Sequence, residues 1–213
     1  MNHRTSTQDP TTLTRIVRIA LWVLVGITII SVISDLLQYR LIQAGDFDLA
    51  SAKANDTRQR VIGVAYVLSY LVTAVLFLKW IHRANLNARS LGAKDLRFSP
   101  GWAVGWYFIP FMNLVRPYQA MKEIWQASKN PENWSTQSAP PILGWWWGLF
   151  LLSGFLGQTA LRMSIQANSL SALSNATVVS ILAGLVDFPL CFVAMHLVTD
   201  IDRMQGARMG RSI

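Results

Sequence analysis

The sequence predicts an all-α fold: a polytopic membrane helical bundle of four transmembrane helices, with a Pro-broken amphipathic or re-entrant segment on the cytoplasmic side. Three observations predict it. The 213 residues are 52% hydrophobic and 14% charged, with a mean hydropathy of +0.32, a balance that soluble domains seldom reach. Four apolar runs are each long enough to cross hydrocarbon at about 1.5 Å per residue. The basic residues are shared unequally among the segments that join those runs. The apolar content excludes disorder, and the single cysteine, Cys191, excludes both a disulfide-stapled scaffold and paired-thiol redox chemistry.

The first run, 19–37, follows a polar head carrying Arg4, Arg15 and Arg18, and it ends in Ser34-Asp35-Leu36-Leu37 rather than at a small-residue cleavage site. It therefore reads as a retained signal anchor. The second run, 61–81, follows the polar stretch 44–60, in which Asn55, Asp56 and Thr57 are helix-start residues. Its helical pattern continues past Ile81 to Gly92, which gives two or three further turns outside the bilayer. The remaining runs are 142–161, opened by Pro140-Pro141, and 178–198, opened by Asn175 and Thr177.

Between the second and third of these runs lies 99–117, apolar but interrupted. Pro110 removes a helical bond to the carbonyl of Trp106, and Pro117 starts a new helix, so the segment reads as kinked, interfacial or re-entrant. Charge counting favours this choice. If 99–117 does not cross, fourteen of the nineteen Lys and Arg residues lie on the side of the termini and five lie opposite. If it crosses, the split is nine to ten and the positive-inside bias vanishes. Trp80, Trp102, Trp106, Trp125, Trp134 and Trp145-Trp146-Trp147 all fall near the same expected cytoplasmic interface.

The expected organisation is a flexible cytoplasmic head (1–14), one membrane domain (15–204, with spans at 19–37, 61–81, 142–161 and 178–198 and the broken interfacial segment 99–127) and a flexible cytoplasmic tail (205–213). Both termini are expected on the cytoplasmic side.

Several blocks carry a resemblance: Trp80-Ile81-His82-Arg83-Ala84-Asn85, Leu91-Gly92-Ala93, Phe98-Ser99-Pro100-Gly101-Trp102, and Pro110-x-x-Asn113-Leu114-x-Arg116-Pro117-Tyr118. The chain resembles the bacterial domain-of-unknown-function family numbered 4328 over roughly Leu21 to Met204. That resemblance implies a multi-pass domain of a bacterial inner membrane and brings no activity, ligand or cofactor with it.

Two constellations could carry chemistry. Asp187 sits near the middle of the last run, where a carboxylate costs several kcal/mol. With Ser180, Gly184, Cys191 and Ala194 it forms one small, polar stripe, and Ser69, Tyr70, Thr73 and Ser153 are its candidate partners. A proton or cation site is one reading; a hydrogen-bonded packing residue beside Pro189 is the other.

At the cytoplasmic face, His82, Asn85 and Arg89 share one side of the extended second helix, with Arg83 beside them. Arg116, Gln119 and Glu123 share a side of the helix after Pro117, next to Asn113 and Tyr118. This set could form a pocket for a lipid headgroup or small anion, or a hydrogen-bond network that fixes the broken segment. His196 and Asp200 make a helix-end pair, and Gly144-x-x-x-Gly148 could admit a close helix approach.

No zinc-ligand spacing, P-loop, G-x-S-x-G or dinucleotide fingerprint occurs, so no metal, no cofactor and no enzyme activity are expected. Nucleic acid is not expected either, because the net charge of +8 sits beside apolar runs. The expected function is a non-enzymatic interaction or scaffold module. Its basic, Trp-rich face would meet anionic lipid headgroups of the bilayer, or a membrane or cytoplasmic protein partner. The alternative is a small transporter or proton-coupled channel centred on Asp187.

Overall fold

A computed structural model describes residues 10–45 and 48–210. The described chain is helical, with no strand among the described residues. Six α-helices follow in order: α1 (Pro10–Ala44), α2 (Leu49–Ser90), α3 (Pro100–Gly105), α4 (Arg116–Lys129), α5 (Pro141–Gln166) and α6 (Leu170–Arg208). Three short 3-10 turns, Trp106–Phe108, Met112–Leu114 and Trp134–Thr136, lie in the connections.

Three helices, α1, α2 and α6, are long and apolar enough to cross a membrane. At 35, 42 and 39 residues they measure about 52, 63 and 58 Å, well beyond a hydrocarbon core of about 30 Å. With 26 residues, α5 also has spanning length, but Trp145-Trp146-Trp147, four glycines and Gln158 dilute its aliphatic content.

Helix ends follow ordinary chemistry. Asp48 accepts the Ser51 N–H at 2.7 Å ahead of α2, and Ser169 accepts the Ala172 N–H at 3.1 Å ahead of α6. Past the end of α2, Gly92 takes φ +104°, and the Ala93 N–H returns to the Ala88 carbonyl, the left-handed termination expected at that glycine.

Other boundaries need correction. In the polar stretch 44–60 the expected helix start is Asn55–Thr57, yet α2 begins at Leu49. Asn55 is buried within it, bonded to Gln38 and Arg58. Similarly α6 starts at Leu170, not near Val178. Polar residues at these ends pair with one another, so the helices outrun their apolar cores. The first part of the expected tail at 205–213 is helical instead: α6 holds Gln205 in a buried position and runs on to Arg208. The expected head lies largely outside the described residues, as do Arg4, Asp46 and Arg211.

The chain divides into two compact units. One comprises Leu21–Val72 and Gly148–Phe192: four helical segments, from α1, α2, α5 and α6. Within it Gly184 permits a close crossing, since a Cβ there would stand 2.5 Å from Cγ2 of Val32. At Gly144 and Gly148, whose spacing could admit such an approach, an added Cβ would meet nothing within 4 Å.

The other unit comprises Met1–Ala20, Thr73–Trp147 and Val193–Ile213. Eight of the nine tryptophans fall within it. Gln205 donates to the Ala84 carbonyl at 2.9 Å and to Ser128 Oγ at 2.8 Å, and accepts from Asn87 at 3.2 Å. One buried amide thereby joins α2, α4 and α6.

Candidate functional site

In the Trp-rich unit, the segment 99–127 is broken as its prolines predict. Ser99 caps α3, α3 has only six residues, and the chain turns at Pro110-Phe111, where Phe111 takes φ +64°. Neither α3 nor the 14-residue α4 is long enough to cross a bilayer.

The sequence-derived set at this face is brought together only in part. Asn85 is fully buried and donates to the Phe98 carbonyl at 3.1 Å. Arg89 gives Nε to Asn85 Oδ1 at 3.0 Å, and Nη2 to the carbonyls of Leu96 and Phe98 at 3.2 and 2.8 Å. Glu123, reaching across from α4, accepts the N–H groups of Arg97 and Phe98 at 2.9 and 3.1 Å. Three side chains thus clamp one loop through its backbone, which is the network reading of this constellation. Burial pushes the Glu123 carboxyl above its ordinary range, and the two N–H bonds together with Arg89 and Arg97 pull against that shift without cancelling it.

The rest stand apart from the clamp. His82 is exposed and Arg83 half-buried on α2. Arg116 pairs with Gln119 at 3.1 Å and lies over the Trp106 ring at 5.6 Å. Asn113 and Tyr118 are half-buried. Around them the turn is strongly apolar and open: Phe111 is 83% exposed and Phe108 71%, with Trp102, Leu114 and Val115 also exposed. His196 and Asp200 do pair, at 3.0 Å.

The four-helix unit contains the second constellation. Gly184, Asp187 and Cys191 of the predicted stripe are buried there. Asp187 Oδ2 accepts from the Tyr66 hydroxyl at 2.7 Å, and Oδ1 from Ser153 Oγ at 2.5 Å. Ser153 is a predicted partner. Tyr66 is not, since the expected Tyr70 lies one turn further along α2 and stacks on Tyr66 with ring centroids 6.4 Å apart. Thr73, another expected partner, donates instead to the Ala20 carbonyl in the Trp-rich unit.

Asp187, Tyr66, Tyr70 and Ser153 line a cavity of about 480 Å³. Asp35 and Gln59 also line it, with Gln59 donating to Asp35 at 3.2 Å. Sequence reasoning passed over Asp35 because it closes an apolar run, where a carboxylate is cheap. It passed over Gln59 because 44–60 read as loop. A signal was nevertheless present: Asp35 is four residues after Ser31 and seven after Thr28, both on the same wall. Among the described residues, no group of three or more His, Cys, Asp or Glu side chains converges as a metal site would require.

With the geometry in place, the chain can be set beside known proteins. The profile of the family described as a domain of unknown function, DUF4328, matches residues 44–203. The chain belongs to this family. The match takes in Asn85, Arg89, Glu123, Tyr66, Ser153 and Asp187, whereas Asp35 lies before the matched stretch of the DUF4328 domain. No curated protein and no solved structure matches the chain.

Proposed function

We propose that this DUF4328 protein is a small, non-enzymatic transporter of the inner membrane, proton-coupled through Asp187. The observation that carries the reading is a buried carboxylate on the wall of a cavity lined by both polar and apolar residues, inside a unit of four helical segments. An intramembrane carboxylate is costly and is most often retained for a pathway or relay. The sequence alone offered Asp187 as a lone charge; Asp35, Gln59 and the tyrosines give it company. In this reading α5 is a fourth crossing beside α1, α2 and α6, for it spans about 39 Å and Ser153 on it binds Asp187. Four crossings leave both termini on the cytoplasmic side, as the basic-residue bias favours.

The test is proton flux in proteoliposomes, with pyranine trapped inside and a potassium diffusion potential as the driving force. Vesicles with the wild-type protein should acidify faster than protein-free vesicles, and Asp187→Asn should return the rate to the blank. Equal rates for wild type and variant would sink the proposal, provided circular dichroism shows both folded.

A second reading concerns the Trp-rich unit: its aromatic turn lies in the lipid interface and gives this protein a basic, membrane-contacting face, with lipid or a protein as partner. Exposure of Phe108 and Phe111 beside Arg116 favours it, since apolar tips flanked by cations suit a headgroup boundary. An environment-sensitive label at position 111 tests it, as set out below.

A further inference from the structure

The transport reading leaves the solute unnamed, and the following inference rests on that reading. The wall of the cavity presents two carboxylates, Asp35 and Asp187, and no Lys, Arg or His side chain. Both donors to Asp187 are neutral hydroxyls, which orient a carboxylate without balancing its charge. Arg58 stands near Asp35 but turns its guanidinium to Ser34 and Asn55. Tyr66 and Tyr70 add two stacked rings to the same wall, and the faces of such rings attract cations. Thr28 lines it too, and its buried hydroxyl has no hydrogen-bond partner among the described residues. A buried hydroxyl left unpaired costs about 1–3 kcal/mol, which a hydrogen-bonding group on an occupant of the cavity would recover.

We propose that the cavity binds a small organic cation, an amine or quaternary ammonium class of solute, between Asp35, Asp187 and the tyrosine pair. Anions are disfavoured because no cationic side chain lines the wall. A bare metal ion would leave most of the 480 Å³ unfilled and would find only two carboxylates, too few ligands for a closed site. Apolar residues such as Val32, Ile62 and Val67 on the wall suit the organic part of the solute, in keeping with the mixed lining of small-molecule sites.

The experiment compares two isosteric ions of opposite charge, tetraphenylphosphonium and tetraphenylborate, by equilibrium dialysis against the full-length protein in detergent, with empty micelles as the blank. Saturable binding of the phosphonium above the blank is expected, with none for the borate. Asp187→Asn and Asp35→Asn should each weaken phosphonium binding about tenfold or more, the scale of one charge-assisted contact. Because Asp187 also bonds to Tyr66 and Ser153, its variant could be misfolded; Asp35→Asn then decides. Equal binding of both ions, no binding of either, or phosphonium binding indifferent to both substitutions would overturn the inference. Failure here with proton flux still dependent on Asp187 removes the solute class and leaves the transport reading standing. Phosphonium binding without Asp187-dependent flux does the reverse, leaving a cation site in a protein that does not couple it to protons.

Discussion

The buried carboxylates of the two units are satisfied in opposite ways. In the Trp-rich unit Asn85, Arg89 and Glu123 end on peptide groups of residues 96–98, and Gln205 donates to the peptide carbonyl of Ala84. In the four-helix unit Asp187 ends on two hydroxyls and borders a cavity. Buried backbone groups must be paired somewhere, so side chains spent on them fix the path of a chain that helix bonds cannot hold. Side chains that bond to one another beside open space fix no loop, and keep accepting capacity for something that enters. The difference separates two carboxylates of similar burial into one that holds a loop by its backbone and one that borders a cavity.

The largest expected effect tests that separation directly. Glu123→Ala leaves the N–H groups of Arg97 and Phe98 without an acceptor, at about 1–3 kcal/mol for each unsatisfied donor, or roughly 2–6 kcal/mol together. Asp187→Asn keeps an oxygen toward Tyr66 or Ser153 and should cost about 1 kcal/mol, the net worth of one hydrogen bond. Thermal melts of the purified variants in one detergent compare the two. A loss for Asp187→Asn as large as for Glu123→Ala would make Asp187 a packing residue and erase the contrast.

The sequence made one of these sites far more legible than the other. Asp187 is readable because a carboxylate inside the 21-residue, mainly apolar run 178–198 contradicts its surroundings, and three- and four-residue spacing then assigns its face. The break at Pro110 and Pro117 is readable because proline chemistry is local. What spacing could not convey is that Glu123 meets residues 97 and 98, some 25 positions away, through their backbone. Backbone partners carry no residue signature. The ends of α2 and α6 were hidden for a related reason: Asn55, Arg58 and Thr177 look like loop or cap residues until Gln38 and Ser34 of α1 are placed against them.

An effect of middle size asks whether the apolar surface of the Trp-rich unit faces lipid. Phe111→Cys on a Cys191→Ser background, labelled with NBD and reconstituted in vesicles containing anionic lipid, should emit to the blue of the same label at Glu132→Cys, an exposed polar position of the same unit. Arg116 at the base of the turn would sit among the headgroups, its charge worth about 1 kcal/mol there. Matching, water-like emission from both sites would show the turn to be in solvent, and the second functional reading would fall with it.

The smallest effect concerns the sign with which Glu123 serves its clamp. Its folded-state pKa is raised by burial, with the bonds from Phe98 and Arg97 opposing, while an unfolded glutamate titrates near about 4.3. A raised folded value means that the unfolded chain gives up its proton first. The contribution is therefore complete below the unfolded pKa and is lost as pH rises through the folded one, with no further change above it. Glu123→Gln is an uncharged stand-in for the protonated acid and has nothing to titrate at that position. Melting temperatures of the two proteins, taken at matched pH from below about 4 upward, should show the wild type losing ground to the variant as the carboxyl ionises, then a constant gap. At about 2–4 °C per kcal/mol for a chain of this size the slope is shallow but measurable. The opposite slope would mean that the two peptide N–H groups outweigh the cost of burial, making the clamp an anion site built for a carboxylate of its own chain, and would set the two units further apart.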